Sequence, residues 1–320
     1  MAYLKEKSIR GHSYRYLARS LRLPDGRVKT IQKLVRESDA SPGDLERKYA
    51  DYFRGKEKGF YTAYALGKYE TDPAYTKAQM EKIEGVRVDY RHTLRNFSRE
   101  QMRDVFDRFT ANFTYESNAL EGNSLTLKDV SMVFDGRSVE GKDLREVYEA
   151  RNSRKVMDLV LGNKLKLRGK DVIRMHRMLM EDIDARTGYK KLPNYILGSS
   201  VKLTPPEKVE EEMDGLFGWY EDALTHIHPL KVSALFHGRF ERIHPFENGN
   251  GRVGRFLSNL ILTDNGYPPL IIRKTQRGSY IKCLEDFHRG YTTNLERFFL
   301  EKYKKTYKDF FAVYLKYVKG

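Results

Sequence analysis

The sequence predicts a mainly helical, all-α protein with two small β-hairpins. Three observations support this fold class. Apolar residues recur at helical spacing over most of residues 100–300, a Pro-Asp-Gly turn at 24–26 separates two alternating stretches, and residues 188–198 show no helical period. Hydrophobic residues make up 40% of the 320 positions, enough to bury the core of one large domain or two modest ones.

The first hairpin is expected near the N-terminus, within residues 13–34. Pro24 presets the backbone angle of a turn, and Gly26 tolerates a positive φ. The alternating stretches on either side can therefore pair as strands. We divide the chain into an N-terminal basic region of hairpin and helices, residues 1–100, whose function the sequence does not indicate, and a helical domain, residues 101–320.

Four apolar stripes predict the main helices of residues 101–320. Gly122 ends the first, and Thr126 with Asp129 has the spacing of a capping box that begins the next helix. Pro245 disfavours the α conformation at His244, so a later helix must end there. The stripes are Met102, Val105, Phe106, Phe109 and Phe113; Val209, Met213, Leu216 and Tyr220; Val232, Leu235, Phe236, Phe240 and Ile243; and Val253, Phe256, Leu257, Leu260 and Ile261.

The N-terminal region is strongly basic. Residues 1–36 carry a surplus of eight positive charges in a chain whose net charge is +15. Such a surplus favours anionic partners: nucleic acid, an acidic protein face or a nucleotide. An ordinary solvated basic surface carries the same charges. Tyr14 and Tyr16 lie near Arg15 and Arg19, an interleaving typical of single-stranded nucleic-acid binders, although a plain β-strand has the same pattern.

Composition also excludes several classes of protein. The single Cys283 rules out an intrachain disulfide and a multi-cysteine metal site. No apolar run approaches the roughly 18 residues that span a membrane, and the N-terminus lacks the apolar region of a secretory signal. We therefore expect a cytoplasmic protein without membrane contact.

The segment His244-Pro-Phe-Glu-Asn-Gly-Asn-Gly-Arg-Val-Gly-Arg255 carries the chemistry. It forms a loop that leads into a helix N-terminus, where unpaired N–H groups attract phosphate. Gly249 and Gly251 allow the backbone to curl into a nest around an anion, and the Asn250 amide can donate into it.

Three further side chains complete this phosphate site. Arg252 and Arg255 share a helical face and can clamp phosphate oxygens. His244 titrates near neutral pH and suits a general base. Phe246 is expected to anchor the loop in the core.

This segment resembles the signature of the Fic (fido) family, H-P-F-x-[D/E]-G-N-G-R-x-x-R. Eight of the nine specified positions match. A second stretch, Ser117-Asn-Ala-Leu-Glu121-Gly122, resembles the family's inhibitory motif, [S/T]-x-x-x-E-[G/N], and lies upstream as expected. The resemblance covers roughly residues 100–300, and the N-terminal third is outside it.

The resemblance implies a nucleotidyltransferase that moves AMP from ATP to a Ser, Thr or Tyr hydroxyl of a protein, including itself. His244 would take the proton of the hydroxyl. Gly249, Asn250 and Gly251 would hold the α- and β-phosphates, with Arg252 on the β-phosphate and Arg255 on the γ-phosphate.

The resemblance further implies autoinhibition through a helix near residues 105–122. Ser117 and Glu121 would be regulatory, and the Glu121 carboxylate would pair with Arg255 in place of the γ-phosphate. An Arg fork fits both anions. An exposed acid at a helix end would be the simpler explanation of Glu121.

One signature position departs from the family pattern. The carboxylate that holds Mg²⁺ is replaced by Asn248, whose neutral oxygen is a poorer ligand for a hard dication. Weak Mg²⁺ binding by Asn248, a slow enzyme and a different activity are all open, and we favour the first.

Residues 188–198 lie where the family has its flap, a hairpin that aligns the target's main chain. Leu192, Tyr195 and Ile196 are the candidates for clamping the target, and only Gly188 and Gly198 anchor this assignment.

Several alternatives stay open. Relatives of this kind can use the inhibitory Glu to remove AMP, and another nucleotide or phosphate transfer would suit the same loop. A catalytically weak binding module, tethered to nucleic acid through residues 1–36, is the alternative from a different class. A homodimer is possible. Tyr280 could contact a base or ribose, although a core position fits it as well.

Overall fold

The computed structural model describes residues 2–37, 40–195 and 201–316. These residues form twelve α-helices and one three-stranded antiparallel sheet, so the mainly helical fold class is confirmed. In this part of the chain, no helix combines the length and apolar character needed to cross a membrane.

The N-terminal sheet has the order β1-β2-β3, with β1 at Tyr3–Ile9, β2 at His12–Arg22 and β3 at Val28–Val35. Strands β2 and β3 form the predicted hairpin, and Gly26 has a φ of 84° in its turn. The sequence analysis missed β1. This edge strand has little apolar alternation, because Leu4 is its one residue packed against the core.

Six of the twelve helices in the described residues begin at a residue whose side chain caps them. Ser98 with Gln101 and Thr126 with Asp129 both form complete capping boxes. The helices are α1 Pro42–Lys48, α2 Ala50–Lys68, α3 Lys77–Asn96, α4 Arg99–Leu120, α5 Leu127–Phe134, α6 Leu144–Leu161, α7 Gly169–Leu179, α8 Val209–His226, α9 Pro229–Ile243, α10 Asn250–Asp264, α11 Arg277–His288 and α12 Thr293–Thr306.

Two large apolar clusters make up most of the core. One contains the inner face of the sheet and joins α2 and α3 to α11 and α12. The other surrounds α9 and α10 and includes side chains of α4, α6, α7 and α8. Helix α9 contributes to both clusters. The loop that follows α9 is therefore held on a rigid base, which suits a site that must keep its geometry.

The segment after α7 lies across the α9–α10 loop. The Lys190 N–H donates to the Pro245 carbonyl at 2.8 Å, and the Asn194 amide donates to the Phe246 carbonyl at 2.8 Å. The described residues 188–195 contain no strand. Leu192 and Tyr195 are 66% and 87% exposed.

The rest of the expected flap, including Ile196 and Gly198, lies outside the described residues. A hairpin at this place stays a prediction, as does the domain boundary at residue 100.

Candidate functional site

The loop between α9 and α10 is tightly wound because two of its residues have a left-handed backbone. His244 caps α9 with a φ of 51°, and Gly249 caps α10 with a φ of 77°. A left-handed non-glycine residue costs about 1–2 kcal/mol, so the surroundings must hold His244 in place. The positive φ of Gly249 would strain any other residue, and a Cβ there would also lie 2.7 Å from Cε of Met180, which would have to move.

Asn250 closes this loop on itself. Its side-chain oxygen accepts from the Phe246 N–H at 2.9 Å, and its amide donates to the Phe246 carbonyl at 2.7 Å. The amide was expected to donate into the anion nest, but in the structure it donates to the loop backbone. The anion site is then left to the first N–H groups of α10, which have no acceptor within a helix.

A histidine that the sequence analysis missed supports the loop. His176 of α7 stacks on the Phe246 ring with the centroids 3.9 Å apart, and Nε2 donates to the Asn248 carbonyl at 3.1 Å. Burial lowers the pKa of His176 to about 4, so the ring is neutral with its proton assigned to Nε2. The expected anchoring of Phe246 is present, with His176 as a partner.

Arg255 is buried between α10 and the end of α4, with 3% of its side chain exposed. Its Nε donates to Ser117 Oγ at 2.9 Å, and Nη2 donates to the Ser117 carbonyl at 2.9 Å and to Glu121 Oε1 at 2.7 Å. The two residues of the upstream motif thus contact the last arginine of the loop motif.

Glu121 is ionised although its surroundings are partly dry. Burial would raise the pKa of its carboxyl, but the charges of Arg255, Arg252 and Arg277 outweigh burial and hold the pKa below its ordinary value. The side chain is 41% exposed, so solvent reaches one side of the pair.

Because Gly251 has no side chain, the Glu121 carboxylate can lie beside the start of α10. A Cβ at position 251 would overlap Glu121 Oε1 and lie 2.9 Å from Arg255 Nη1. The carboxylate therefore fills the space beside the first turn of the helix, where its N-terminus favours negative charge.

Arg252 faces a different acid, which the sequence analysis missed. Its Nη1 lies 3.2 Å from Oε1 of Glu149 on α6, and the side chain is buried. Among the described residues, Nε and Nη1 of Arg252 have no hydrogen-bond partner. Glu149 also accepts from the Asn123 amide at 2.9 Å. Arg252 thus lies beside the loop with N–H donors that other described residues do not occupy.

His244 is neutral at physiological pH. Burial lowers its pKa to about 4. Its Nδ1 lies 3.4 Å from the Glu241 carbonyl, which assigns the ring proton to Nδ1 and leaves the Nε2 lone pair available. A neutral histidine with a free ring nitrogen has the state that a general base needs.

Two buried titratable groups flank His244. Oε2 of Glu241 lies 3.8 Å from His244 Nδ1, and burial raises the pKa of Glu241 to about 8. On the other side, Lys190 Nζ donates to Asn194 Oδ1 at 2.7 Å and to the Ile243 carbonyl at 3.4 Å. Burial lowers the pKa of Lys190 to about 8. Neither residue is marked by a motif.

Asn248 has a carboxylate neighbour from another element. Hydrogen bonds from Arg186, and also one with the Asn248 side chain, lower the pKa of Asp184 to about 2. Glu247 turns away, and its Oε2 lies 3.1 Å from Arg186 Nη1. Within the described residues, no group of three or more His, Cys, Asp or Glu forms a complete metal site.

Tyr280 is a core residue. It is 3% exposed, and its hydroxyl lies 2.6 Å from Nε2 of the buried His237.

The site thus combines a loop at a helix N-terminus with two buried arginines and a neutral histidine. Residues 166–262 match the family model of the Fic/DOC family. This part of the chain, which includes α9 and the loop that follows it, is similar to Fic/DOC proteins.

Named relatives and solved structures are also similar to this chain. The protein adenylyltransferases Fic of Drosophila erecta and Drosophila willistoni are 30% and 32% identical to this chain over 197 and 200 residues, 60% of this chain and 40% of theirs. The match thus spans about two fifths of the length of these relatives.

A Fic family protein from Desulfovibrio desulfuricans G20 is 25% identical with a TM-score of 0.60, over 76% of this chain and 75% of that one. Fic-1 (residues 134–508) from C. elegans shares the fold, with 24% identity and a TM-score of 0.62 over 74% of this chain and 72% of that chain.

Proposed function

We propose that this protein is a self-inhibited adenylyltransferase that moves AMP from ATP to a hydroxyl of a protein, itself included. The observation that carries the proposal is the contact of Glu121 with Arg255 at the start of α10, beside a neutral His244. The likeness to proteins named protein adenylyltransferase supports the type of reaction.

The residues have complementary roles in this reaction. Nε2 of His244 takes the proton of the target hydroxyl as its oxygen forms a bond to the α-phosphorus. The bond from that phosphorus to pyrophosphate breaks, and pyrophosphate leaves. The first N–H groups of α10 and Arg252 hold the phosphates, and Arg255 holds the γ-phosphate. Positioning and charge stabilisation supply most of the catalysis.

The Glu121 carboxylate inhibits because it occupies Arg255 and the space over Gly251. An ATP whose γ-phosphate cannot reach Arg255 binds in a pose unsuited to in-line attack. Ser117 contributes by fixing the guanidinium with its hydroxyl and its carbonyl.

The donor set beside the loop fits a Mg²⁺ ion. Mg²⁺ is commonly held by one or two carboxylates together with substrate phosphates and water. Asp184 supplies a carboxylate that accepts a hydrogen bond from the Asn248 amide, so the two side chains together would replace the usual acid of the motif. When bound, the ion would offset the negative charge of the phosphates.

Labelling with ATP tests the proposed function. The protein is incubated with Mg²⁺ and ATP labelled in the α-phosphate, as wild type, as Glu121→Gly and as Glu121→Gly with His244→Ala. We expect weak self-labelling by the wild type, strong labelling by Glu121→Gly and a loss of about 10²–10⁴-fold on adding His244→Ala. Glu140→Gly, which removes an exposed acid of the α5–α6 connection, is the control and should behave as wild type.

The same variants separate the alternatives. If Glu121 instead activates water to remove AMP, Glu121→Gly will lose the release of AMP from a labelled protein. Transfer of label from γ- but not α-labelled ATP would indicate phosphate transfer. Labelling by none of the forms would contradict the proposal and favour a binding module.

The metal assignment has its own test. In the Glu121→Gly background, Asn248→Asp should lower the Mg²⁺ concentration for half-maximal labelling, and Asp184→Asn should raise it, each about 10- to 100-fold. Calorimetric titration of ATP at several Mg²⁺ concentrations should shift in the same directions. Unchanged Mg²⁺ dependence in Asp184→Asn would remove Asp184 from the metal site.

The target, the oligomeric state and the cellular location complete the proposed function. The target is a protein with an accessible Ser, Thr or Tyr hydroxyl, and a homodimer is compatible with self-modification. A cytoplasmic location rests on the single Cys283.

A further inference from the structure

The outer face of the N-terminal sheet is an unused surface with an uncommon composition. Residues directly opposite each other in an antiparallel sheet share a face. The pairs Lys5↔Tyr16, Lys7↔Tyr14 and Tyr16↔Leu34 therefore lie on one side, and Leu4↔Leu17 lies on the side packed against the core.

This outer face exposes apolar and aromatic side chains. Of the twelve large hydrophobic side chains that are exposed in the described residues, five lie here. They are Tyr3, Ile9, Tyr14, Val28 and Leu34. Monomeric proteins rarely group such side chains on one surface unless the surface binds something.

All the charged side chains on this face are basic. Lys5, Lys7 and Arg22 lie on it, and no Asp or Glu occupies any outward position of the three described strands. Lys7 is fixed across the sheet, since its Nζ donates to Gln32 Oε1 at 2.9 Å and lies 5.2 Å from the centre of the Tyr16 ring. These charges repel a second copy of the face and favour an anionic partner.

We propose that this face, Tyr3, Lys5, Lys7, Tyr14, Tyr16 and Arg22, binds single-stranded nucleic acid. Proteins that bind single strands combine a positive surface for phosphates with aromatic side chains on which bases stack. The tyrosines supply the stacking surfaces, and the lysines and Arg22 contact the phosphates. The surface is separate from the adenylyl-transfer site, and the proposal does not depend on that reaction.

Fluorescence anisotropy of the full chain with a labelled single-stranded DNA of about 20 nucleotides measures this binding. Tyr14→Ala should weaken binding about 5- to 150-fold, the range for loss of one stacked base, and Tyr14→Phe should retain it. The matched control is Tyr291→Ala, which removes a more exposed tyrosine between α11 and α12 and should have no effect.

Charge reversal tests the phosphate contacts. Lys5→Glu with Lys7→Glu should weaken binding at least about 10-fold and reduce the dependence of affinity on salt concentration. Lys77→Glu with Lys82→Glu makes the same charge change on exposed residues of α3 and should leave binding near wild type.

Three outcomes would overturn the proposal: tighter binding of duplex DNA of equal length, equal binding of an acidic peptide of matched charge, or binding that is the same in wild type and Tyr14→Ala. Circular dichroism of each variant ensures that a loss reflects the surface and not the fold.

Discussion

Glu121 and Glu241 both lie near Arg255, and their carboxyls have opposite charge states at neutral pH. Glu121 ends α4, is 41% exposed and is ionised against Arg255. Glu241 is on α9, is buried, and has its pKa raised to about 8. The charge of Arg255 acts to lower the pKa of both carboxyls. Nearness to an arginine therefore does not by itself explain why their charge states differ.

Hydrogen bonding and the number of nearby cations explain why the two carboxyls differ in charge. Glu121 accepts a hydrogen bond from Arg255 at 2.7 Å and has Arg252 and Arg277 nearby as well. Glu241 Oε1 has no hydrogen-bond partner among the described residues, and its own burial outweighs the attraction of Arg255. A carboxylate without partners in a dry site takes up a proton.

The different charge states of Glu121 and Glu241 allow one loop to hold a general base and an inhibitory carboxylate together. An ionised Glu241 would favour a protonated His244 and so consume the base. A neutral Glu241 leaves the imidazole neutral, while the charge needed for inhibition is confined to Glu121.

The largest expected effect is on activity. Glu121→Gly removes a charge-assisted hydrogen bond worth about 1.5–3 kcal/mol and should raise the rate of self-labelling about 10- to 150-fold. Adding Glu241→Gln at pH 7 should change that rate little, because Gln resembles the neutral acid. A large loss on adding Glu241→Gln would show that Glu241 is ionised at pH 7 and would break the comparison.

The stability of the protein should report the state of Glu241. Its folded pKa, about 8, lies above the ordinary value of about 4.3. The folded state therefore holds a proton that the unfolded state releases, so the free energy of unfolding falls as the pH rises between these values. From pH 6 to pH 8 the Glu241 contribution is at most about 2 kcal/mol.

Urea unfolding at both pH values, with salt held constant, measures this slope. The slope should be smaller in Glu241→Gln than in wild type, because Gln does not titrate. Equal slopes in the two proteins would mean that Glu241 has an ordinary pKa. Glu140→Gln, which changes an exposed acid of the α5–α6 connection, controls for the loss of an acid.

The sequence predicted the parts of the site that local pattern encodes. The end of α9 follows from Pro245, and the turn of the loop follows from Gly249. The contact of Glu121 with Arg255 was expected only through the family resemblance, because nothing local joins these two residues. Most of the helices likewise follow from apolar stripes, whereas β1 lacked such a pattern.

The residues that the sequence did not predict are brought in by packing between distant elements. Glu149 reaches Arg252 from α6, and His176 reaches Phe246 from α7. The unexpected direction of the Asn250 amide has the same origin. An asparagine at a helix start can bond an anion or the loop backbone, and only the wound conformation of the loop selects the second.

The smallest expected effect comes from the hydrogen bond between Ser117 and Arg255, which helps to hold Arg255 against Glu121. Ser117→Ala removes the hydrogen bond from Arg255 Nε at 2.9 Å but keeps the bonds of Nη2 to the Ser117 carbonyl and to Glu121. One neutral hydrogen bond contributes about 0.5–1.5 kcal/mol, so self-labelling should rise about 2- to 10-fold above wild type. Ser131→Ala on α5 is the control. A fall in labelling would indicate that Ser117 orients Arg255 for the γ-phosphate more than for Glu121. In the Glu121→Gly background the two roles separate completely, because any remaining effect of Ser117→Ala must then act on the nucleotide and not on the inhibitor.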